Sequence, residues 1–517
     1  MKMFSSADAR DMPLAAERTL PQVSGTFVLI AALTLLRMGT AAYLPLSFDE
    51  SYFWLWSKRL AISYFEHPPL IAFAIRSGTF LLGDTELGVR LASLVASVAA
   101  SWAVFRAAAL LMPDRSRAWL ACAYLNATLM MASQGMAATP DIFVVAAAAV
   151  LLLAVVELQV TGNGGWWLAA GSAVGAAALA KYTSFFLGLS LVLWTAASPQ
   201  GRRWLASPWP YVAALITSVC FGPNLIWNEA HGWMSFKYQF GRIVVGRPGL
   251  TYILEFIGAQ IALASPFILA LAGIGLALNS RLRTWRRPVS IAVAVIWPAA
   301  FYFAFHSLHD RVQGNWPSFI YPSLAILAAS AESKREGLRH FIAVCHRFAL
   351  PTASLLLAVS YLQTWTGLIP IGKSDPIARM TAVGFEPVAR KVALIAETHH
   401  AGALLTTRYV TSGWLSFYVR PQVPVLQVTE GYRWSDAPVP SATLLRKPLL
   451  YVTQHPDREL REIAPFFSTV DLKTCLPRAR NGVSIDIFCI YLLSGFHESL
   501  KMRGALVFVP SREKALN

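Results

Sequence analysis

The stretch Ser47-Phe48-Asp49-Glu50 places two acids side by side, and a third acid stands with an imidazole in Glu66-His67-Pro68-Pro69. Asp141 follows in Thr139-Pro140-Asp141, and Lys181 closes the small-residue run AGSAVGAAALA. A carboxylate in an apolar setting can take a proton from a hydroxyl, and a cation can neutralise an anionic group in or leaving the site. Each feature also has a plain structural reading. Asp49 suits the cap of a following helix, with Tyr52, Phe53, Trp54 and Trp56 as an aromatic belt at a membrane interface. Asp141 suits the positive end of a helix dipole, and Lys181 suits a lysine snorkelling from a helix end. Glu66-His67 is harder to absorb in this way, because two prolines fix an extended chain there and leave the acid and the imidazole no helix.

These residues hang on a chain of 517 residues that is 56% hydrophobic and only 14% charged, against about 25% charged in an ordinary soluble protein. About eleven apolar segments approach the length needed to cross a hydrocarbon layer of about 30 Å. They fall near 24–44, 88–112, 118–137, 139–160, 166–181, 182–198, 209–227, 251–278, 289–307, 316–331 and 341–364. The run 69–83 is apolar but short, and reads as a re-entrant or interfacial helix. Ser24–Leu44 exceeds the apolar region of about 7–15 residues found in a signal peptide, so it reads as the first span. The expectation is an α-helical polytopic membrane protein over residues 1–365, with a first outer loop at 45–87.

With a cytoplasmic N-terminus the inner loops collect Arg115, Arg117, Arg202, Arg203, Arg281, Arg283, Arg286, Arg287, Lys334, Arg335 and Arg339, as the positive-inside rule demands. Topology thus accounts for much of the net charge of +16, and a nucleic-acid partner is not needed to explain it. On this orientation Asp49, Glu66, Asp141 and Lys181 share the outer border, where Lys237, Arg242, Arg247 and Arg311 add scarce positive charge. From about Thr366 long apolar runs cease, and 366–517 reads as an outer α/β domain. Strands are expected at 403–405, 423–428, 449–453 and 483–491, and helices at 411–418 and 457–463. Cys475 and Cys489 lie in that domain, where an oxidising compartment would permit a disulfide.

No phosphate-cradling glycine loop and no GxGxxG stretch is present, which argues against direct use of ATP or a dinucleotide. No metal-ligand spacing is evident and no cofactor is implied, although assistance by a divalent ion is compatible with the acids. An activated sugar can instead arrive on a membrane-resident lipid phosphate. Its transfer needs one base and cations for the departing phosphate, unlike a glycosidase, which divides acid and base duties between two carboxylates. The rival reading is a polyprenyl-linked lipid transporter or flippase, which would carry charges along a path between both faces.

The ordered segments FDESYFWLWSKRLAISYFEHPPL, GDTELGVRLASLVAS, TPDIFVVAAAAVLL, LAKYTSFF, GPNLIWNEAHGWMSFKYQ and RVQGNWPSFIYPSLAIL resemble the bacterial GT-C glycosyltransferases of family 39. That family includes protein O-mannosyltransferases, lipid A aminoarabinose transferases and rhizobial galacturonosyltransferases. The resemblance covers about residues 20–330 and implies a polyprenyl-phosphate sugar donor and inverting transfer on the periplasmic face of the inner membrane. It further implies a lipid, glycan or protein acceptor and a soluble domain over the site. It makes Asp49 the leading base, Asp141 and Glu66 further acids at the site, and Lys181 the phosphate contact. Glu50, His67, Arg242 and Arg311 join the set expected at the donor. Aminoarabinose transferases usually carry lysine where this chain has His67, which favours a hexose or hexuronic acid.

Overall fold

The computed structural model describes residues 20–241, 249–280, 285, 287–421, 423–434, 437, 440–497 and 507–509, with side chains from Ser24 to His497. Arg242 and Arg247, both expected at the outer face, lie outside the described residues, as do Arg281, Arg283 and Arg286.

All of the apolar segments are helical, but they differ in length. Among the described residues six helices are long and apolar enough to cross a membrane, from Ser24–Tyr43 to Glu336–Thr366, or seven if one bent pair is counted as a single span. Several of the eleven expected segments fall short of that length for identifiable reasons. The segment 118–137 breaks at Thr128, whose hydroxyl leaves the first helix and caps the next by accepting from the Met131 amide at 3.1 Å. The segment 251–278 bends by 103° between Thr251–Ala264 and Pro266–Asn279, because Pro266 cannot donate to the preceding turn and Ser265 adopts φ 70°. The helices Trp166–Ala180 and Phe185–Ala197 hold 15 and 13 residues, and the re-entrant segment forms Leu70–Leu82. Helix packing is close where side chains vanish. A Cβ on Gly171 would lie 2.6 Å from the Ala213 Cα, so helices Trp166–Ala180 and Trp209–Ala230 meet almost backbone to backbone.

The C-terminal region builds a six-stranded sheet in the order β4-β5-β3-β1-β2-β6. Here β1 is Ala403–Thr406, β2 Val425–Gln427, β3 Leu449–Thr453, β4 Phe467–Arg480, β5 Val483–Phe496 and β6 Val507–Val509. β1 pairs in parallel with both β2 and β3, while β5 and β6 run antiparallel at either side. The expected strands and helices of this domain are present, together with β4 and the helix Glu386–Thr398, which the sequence reading did not anticipate. Cys475 and Cys489 face each other across β4 and β5 and are bonded as a disulfide.

The domain does not stand apart from the first loop. The aromatic side chains expected at the lipid interface are buried instead, Tyr52 and Trp54 at 0% exposure and Trp56 at 3%. They share one core with Trp414, Phe417 and Trp434 of the C-terminal domain. The Trp54 and Phe417 rings meet edge-on at 5.0 Å, and Tyr52 meets Trp434 at 5.3 Å. Burial of so much ring surface against a second domain outweighs the interfacial preference of tryptophan. Gly413 lets helix Tyr409–Tyr418 press on Ser51, whose hydroxyl a Cβ would strike.

Candidate active site

The helix Phe48–Lys58 begins at Ser47 rather than at Asp49. Ser47 Oγ accepts from the Glu50 amide at 3.2 Å while Glu50 Oε2 accepts from the Ser47 amide at 2.8 Å, a reciprocal capping box. Asp49 is thereby released from capping. Among the described residues its carboxylate has no hydrogen-bond or ion-pair partner, and it is half-buried. Burial, followed by the nearby charge of Glu66, pushes its pKa up to about 7, and Lys181 opposes the rise while Asp141 and Glu50 add to it. Residues from three other segments, besides the neighbouring Glu50, thus bear on one carboxylate.

Glu50, expected at the donor, is a brace. Its Oε1 accepts from Arg90 Nε at 2.6 Å and the Ala138 amide at 2.9 Å, and Oε2 accepts from Arg90 Nη2 at 2.7 Å. Arg90 also donates to the carbonyls of Ala41, Leu44 and Pro45. The pair therefore ties the end of the first span to the next helix, and Glu50, only 1% exposed, has no acceptor site left for a ligand.

Asp141 sits in the first turn of helix Pro140–Thr161 and Lys181 at the C-terminal end of Trp166–Ala180. Their side chains meet at 2.8 Å, both buried. Asn315 Nδ2 donates to the other Asp141 oxygen at 3.2 Å, and Ser318 Oγ stands 3.4 Å from the first. Asp141 is therefore a partner to a cation and two neutral donors rather than a bare helix-terminal charge. Asn315 and Ser318 were not singled out from the sequence, although both lie in the RVQGNWPSFI segment.

Glu66 forms an ion pair with Arg433 of the C-terminal domain. Arg433 also pairs with Glu430 at 3.3 Å and lies 4.2 Å over the Tyr409 ring. Nothing in the sequence marks Arg433, which resembles any loop arginine until the chain folds. Gln239 Nε2 donates to the Glu66 carbonyl at 3.0 Å, and Asn224 Nδ2 to Ser63 Oγ at 2.6 Å, so the loop is held from two sides. His67 lies half-buried with its ring edge-on to Phe53 at 5.8 Å. Arg311 pairs with Glu255 at 2.8 Å on an exposed surface, and is not among the charges that act most strongly on Asp49.

Comparison with solved structures fixes the architecture. Crystal structures of ArnT from Cupriavidus metallidurans, in the apo state and bound to undecaprenyl phosphate, superpose with TM-scores of 0.59 and 0.61. The superpositions span 90% of this chain and 98% of ArnT, at 18% sequence identity. The chain has the GT-C fold. Residues 66–227 of this GT-C chain match the sequence model of the dolichyl-phosphate-mannose-protein mannosyltransferases. Lipid A galacturonosyltransferase RgtD of Rhizobium johnstonii is 25% identical over 227 residues, which is 43% of this chain. The matched stretch covers only 46% of that relative's length.

Proposed function

We propose that this chain transfers a sugar from a polyprenyl-phosphate carrier to an acceptor hydroxyl at the extracytoplasmic face of a bacterial inner membrane. The observation that carries the reading is the Asp49 carboxylate, without a partner among the described residues and poised to titrate near neutrality beside the Lys181–Asp141 pair. A base of that strength matches proton abstraction at physiological pH. In the reaction the acceptor oxygen bonds to the anomeric carbon, its proton passes to Asp49, and the bond from that carbon to the phosphate oxygen breaks. The carrier phosphate leaves as an anion without protonation, so no general acid is needed, and one displacement inverts the anomeric centre.

Lys181 meets the carrier phosphate, with Asp141 holding the ammonium in place until the anion arrives. Glu66 fixes Arg433 over the site from the C-terminal domain. A hexose or hexuronic acid is the favoured sugar, on the strength of His67, and the similarity to a galacturonosyltransferase supports the uronic acid. The outer orientation is supported by the arginine and lysine bias of the opposite loops and by the Cys475–Cys489 disulfide, a bond suited to an oxidising compartment.

Mass spectrometry of lipopolysaccharide, envelope lipids and envelope proteins tests the function. A deletion strain is expected to lose one hexose or hexuronate mass from one of these pools, and unchanged pools overturn the reading. Lys181→Gln keeps a hydrogen bond to Asp141 but removes the charge. Loss of a charge-assisted bond of about 1.5–3 kcal/mol raises KM for the donor by about tenfold or more, with KM for the acceptor unchanged. An unaltered donor KM removes Lys181 from the phosphate site.

A further inference from the structure

The chain that enters helix Phe48–Lys58 is held from two directions. From helix Glu86–Leu111, Arg90 donates to the carbonyls of Ala41, Leu44 and Pro45. The next residue, Leu46, is fully buried, and both of its backbone groups are taken by the C-terminal domain. Its amide donates to the Tyr418 hydroxyl at 2.7 Å, and its carbonyl accepts from the Ala382 amide at 2.9 Å. Ser47, which caps the Asp49 helix, forms an antiparallel bridge with Thr381. A strand of two residues thus leads directly into the turn that carries Asp49.

The grip on that strand is itself anchored. Tyr418 ends helix Tyr409–Tyr418, and its hydroxyl donates in turn to Glu86 at 3.2 Å, in the first turn of helix Glu86–Leu111. Segment 378–383, which supplies Thr381 and Ala382, is gathered by Arg478 of β4. Its Nη1 donates to the carbonyls of Ala378, Thr381 and Val383 at 2.9, 2.6 and 3.2 Å. Its Nε and Nη2 meet the two oxygens of Asp486 on β5 at 2.9 and 2.6 Å, and the guanidinium lies 4.9 Å over the Trp414 ring. A guanidinium that is 1% exposed and meets three main-chain carbonyls of one segment dictates the path of that segment, because each carbonyl would otherwise be left buried without a donor.

We propose that Tyr418 and Arg478 are positioning residues for Asp49, acting through the Leu46–Ser47 strand, so that the docked C-terminal domain fixes where the carboxylate stands. The role of Asp49 in this inference rests on the transferase reading above; the tether to the C-terminal domain does not. Burial is the main influence on the Asp49 carboxyl, ahead of Glu66, Lys181, Asp141 and Glu50, and Tyr409, on the same helix as Tyr418, lies close enough to feel the Asp49 charge. A helix start released from its strand turns Asp49 toward solvent and away from Glu66, and its pKa falls from about 7 toward the ordinary carboxylate range. Displacement of a reacting group by about 1 Å can lower a rate about a hundredfold.

Infrared titration and hydrogen exchange on the full-length, detergent-purified protein, both without substrate, test the assignment. The carboxyl band that disappears in Asp49→Asn reports the protonation of Asp49. Its midpoint lies at about pH 7 in wild type and moves down by about one unit in Tyr418→Phe, which keeps the ring and removes only the hydroxyl. Arg478→Lys, which keeps the charge but loses the forked geometry, moves it the same way. Both variants speed amide exchange within Phe48–Lys58 by about threefold or more. Induced in the deletion strain, each restores the missing sugar mass at about a tenth of the wild-type rate or slower. A purely structural role for the two residues lowers the melting temperature and leaves the midpoint in place. That result overturns the proposal, as does unchanged exchange in Phe48–Lys58 or restoration at the wild-type rate by both variants. A lowered midpoint and faster exchange in a protein whose deletion removes no sugar overturns the transferase reading instead, and leaves the tether standing.

Discussion

Asp49→Asn lowers kcat for sugar transfer by about 10²- to 10⁴-fold, the usual contribution of a positioned general base, while the protein remains folded and membrane-inserted. Asparagine preserves the shape of the side chain, which has no partner among the described residues to lose. The wild-type pH profile carries the same signature. Burial and the Glu66 charge raise the Asp49 pKa to about 7. Below that pH the group is protonated and cannot accept the acceptor's proton, so kcat/KM rises as pH increases through about 7 and levels off above it. Glu66→Gln removes an anion that lifts this pKa and frees the positive charge of Arg433 to act, so the limb moves to lower pH. Initial rates across pH with saturating donor provide the measurement. Wild-type turnover by Asp49→Asn, or a profile flat between about pH 5 and about pH 9, removes Asp49 from the chemistry.

Arg90→Ala carries the largest expected cost in stability. It strips both Glu50 oxygens of their guanidinium and leaves the carbonyls of Ala41, Leu44 and Pro45 without their donor. Breaking a buried pair on one side costs about 3–5 kcal/mol because a lone charge stays behind. Arg90→Lys recovers only part, since an ammonium cannot reproduce the forked geometry. The double change Glu50→Gln with Arg90→Met retains more stability than Arg90→Ala, because no isolated charge remains. Unfolding of the detergent-purified protein followed by tryptophan fluorescence measures all three. An Arg90→Ala protein as stable as wild type would show that the brace contributes nothing. The contrast with Asp49 separates neighbours in sequence: one loses chemistry without loss of fold, the other holds the fold.

The similarity to ArnT extends over almost the whole of that chain, whereas the stretch matched in RgtD covers under half of RgtD. Architecture is therefore shared over 90% of this chain. Sugar and acceptor are questions for the loops and the C-terminal domain, which contributes Arg433 and Tyr409 beside Glu66.

By itself the sequence determined what rests on local or one-dimensional physics. The apolar segments had to become helices in a bilayer, because no other single-segment structure satisfies its own backbone there. The loop charges set the orientation expected of them, and Asp49, Glu66, Asp141 and Lys181 stood out as ionisable groups at apolar borders. Four strands and two helices of the C-terminal domain followed from β-branched runs and turn residues. Tertiary structure alone decided which of these charges are free. Asp49 and Glu50 are adjacent and chemically alike, but the helix starts at Ser47, so one acid turns to Arg90 and the cap while the other stays unpaired among the described residues. The partner of Glu66 lies 367 positions away at Arg433, and the aromatic belt became an interdomain core because a second domain offered more apolar contact than the lipid border. Such pairings depend on distances between segments far apart in the chain, which no local pattern of residues encodes.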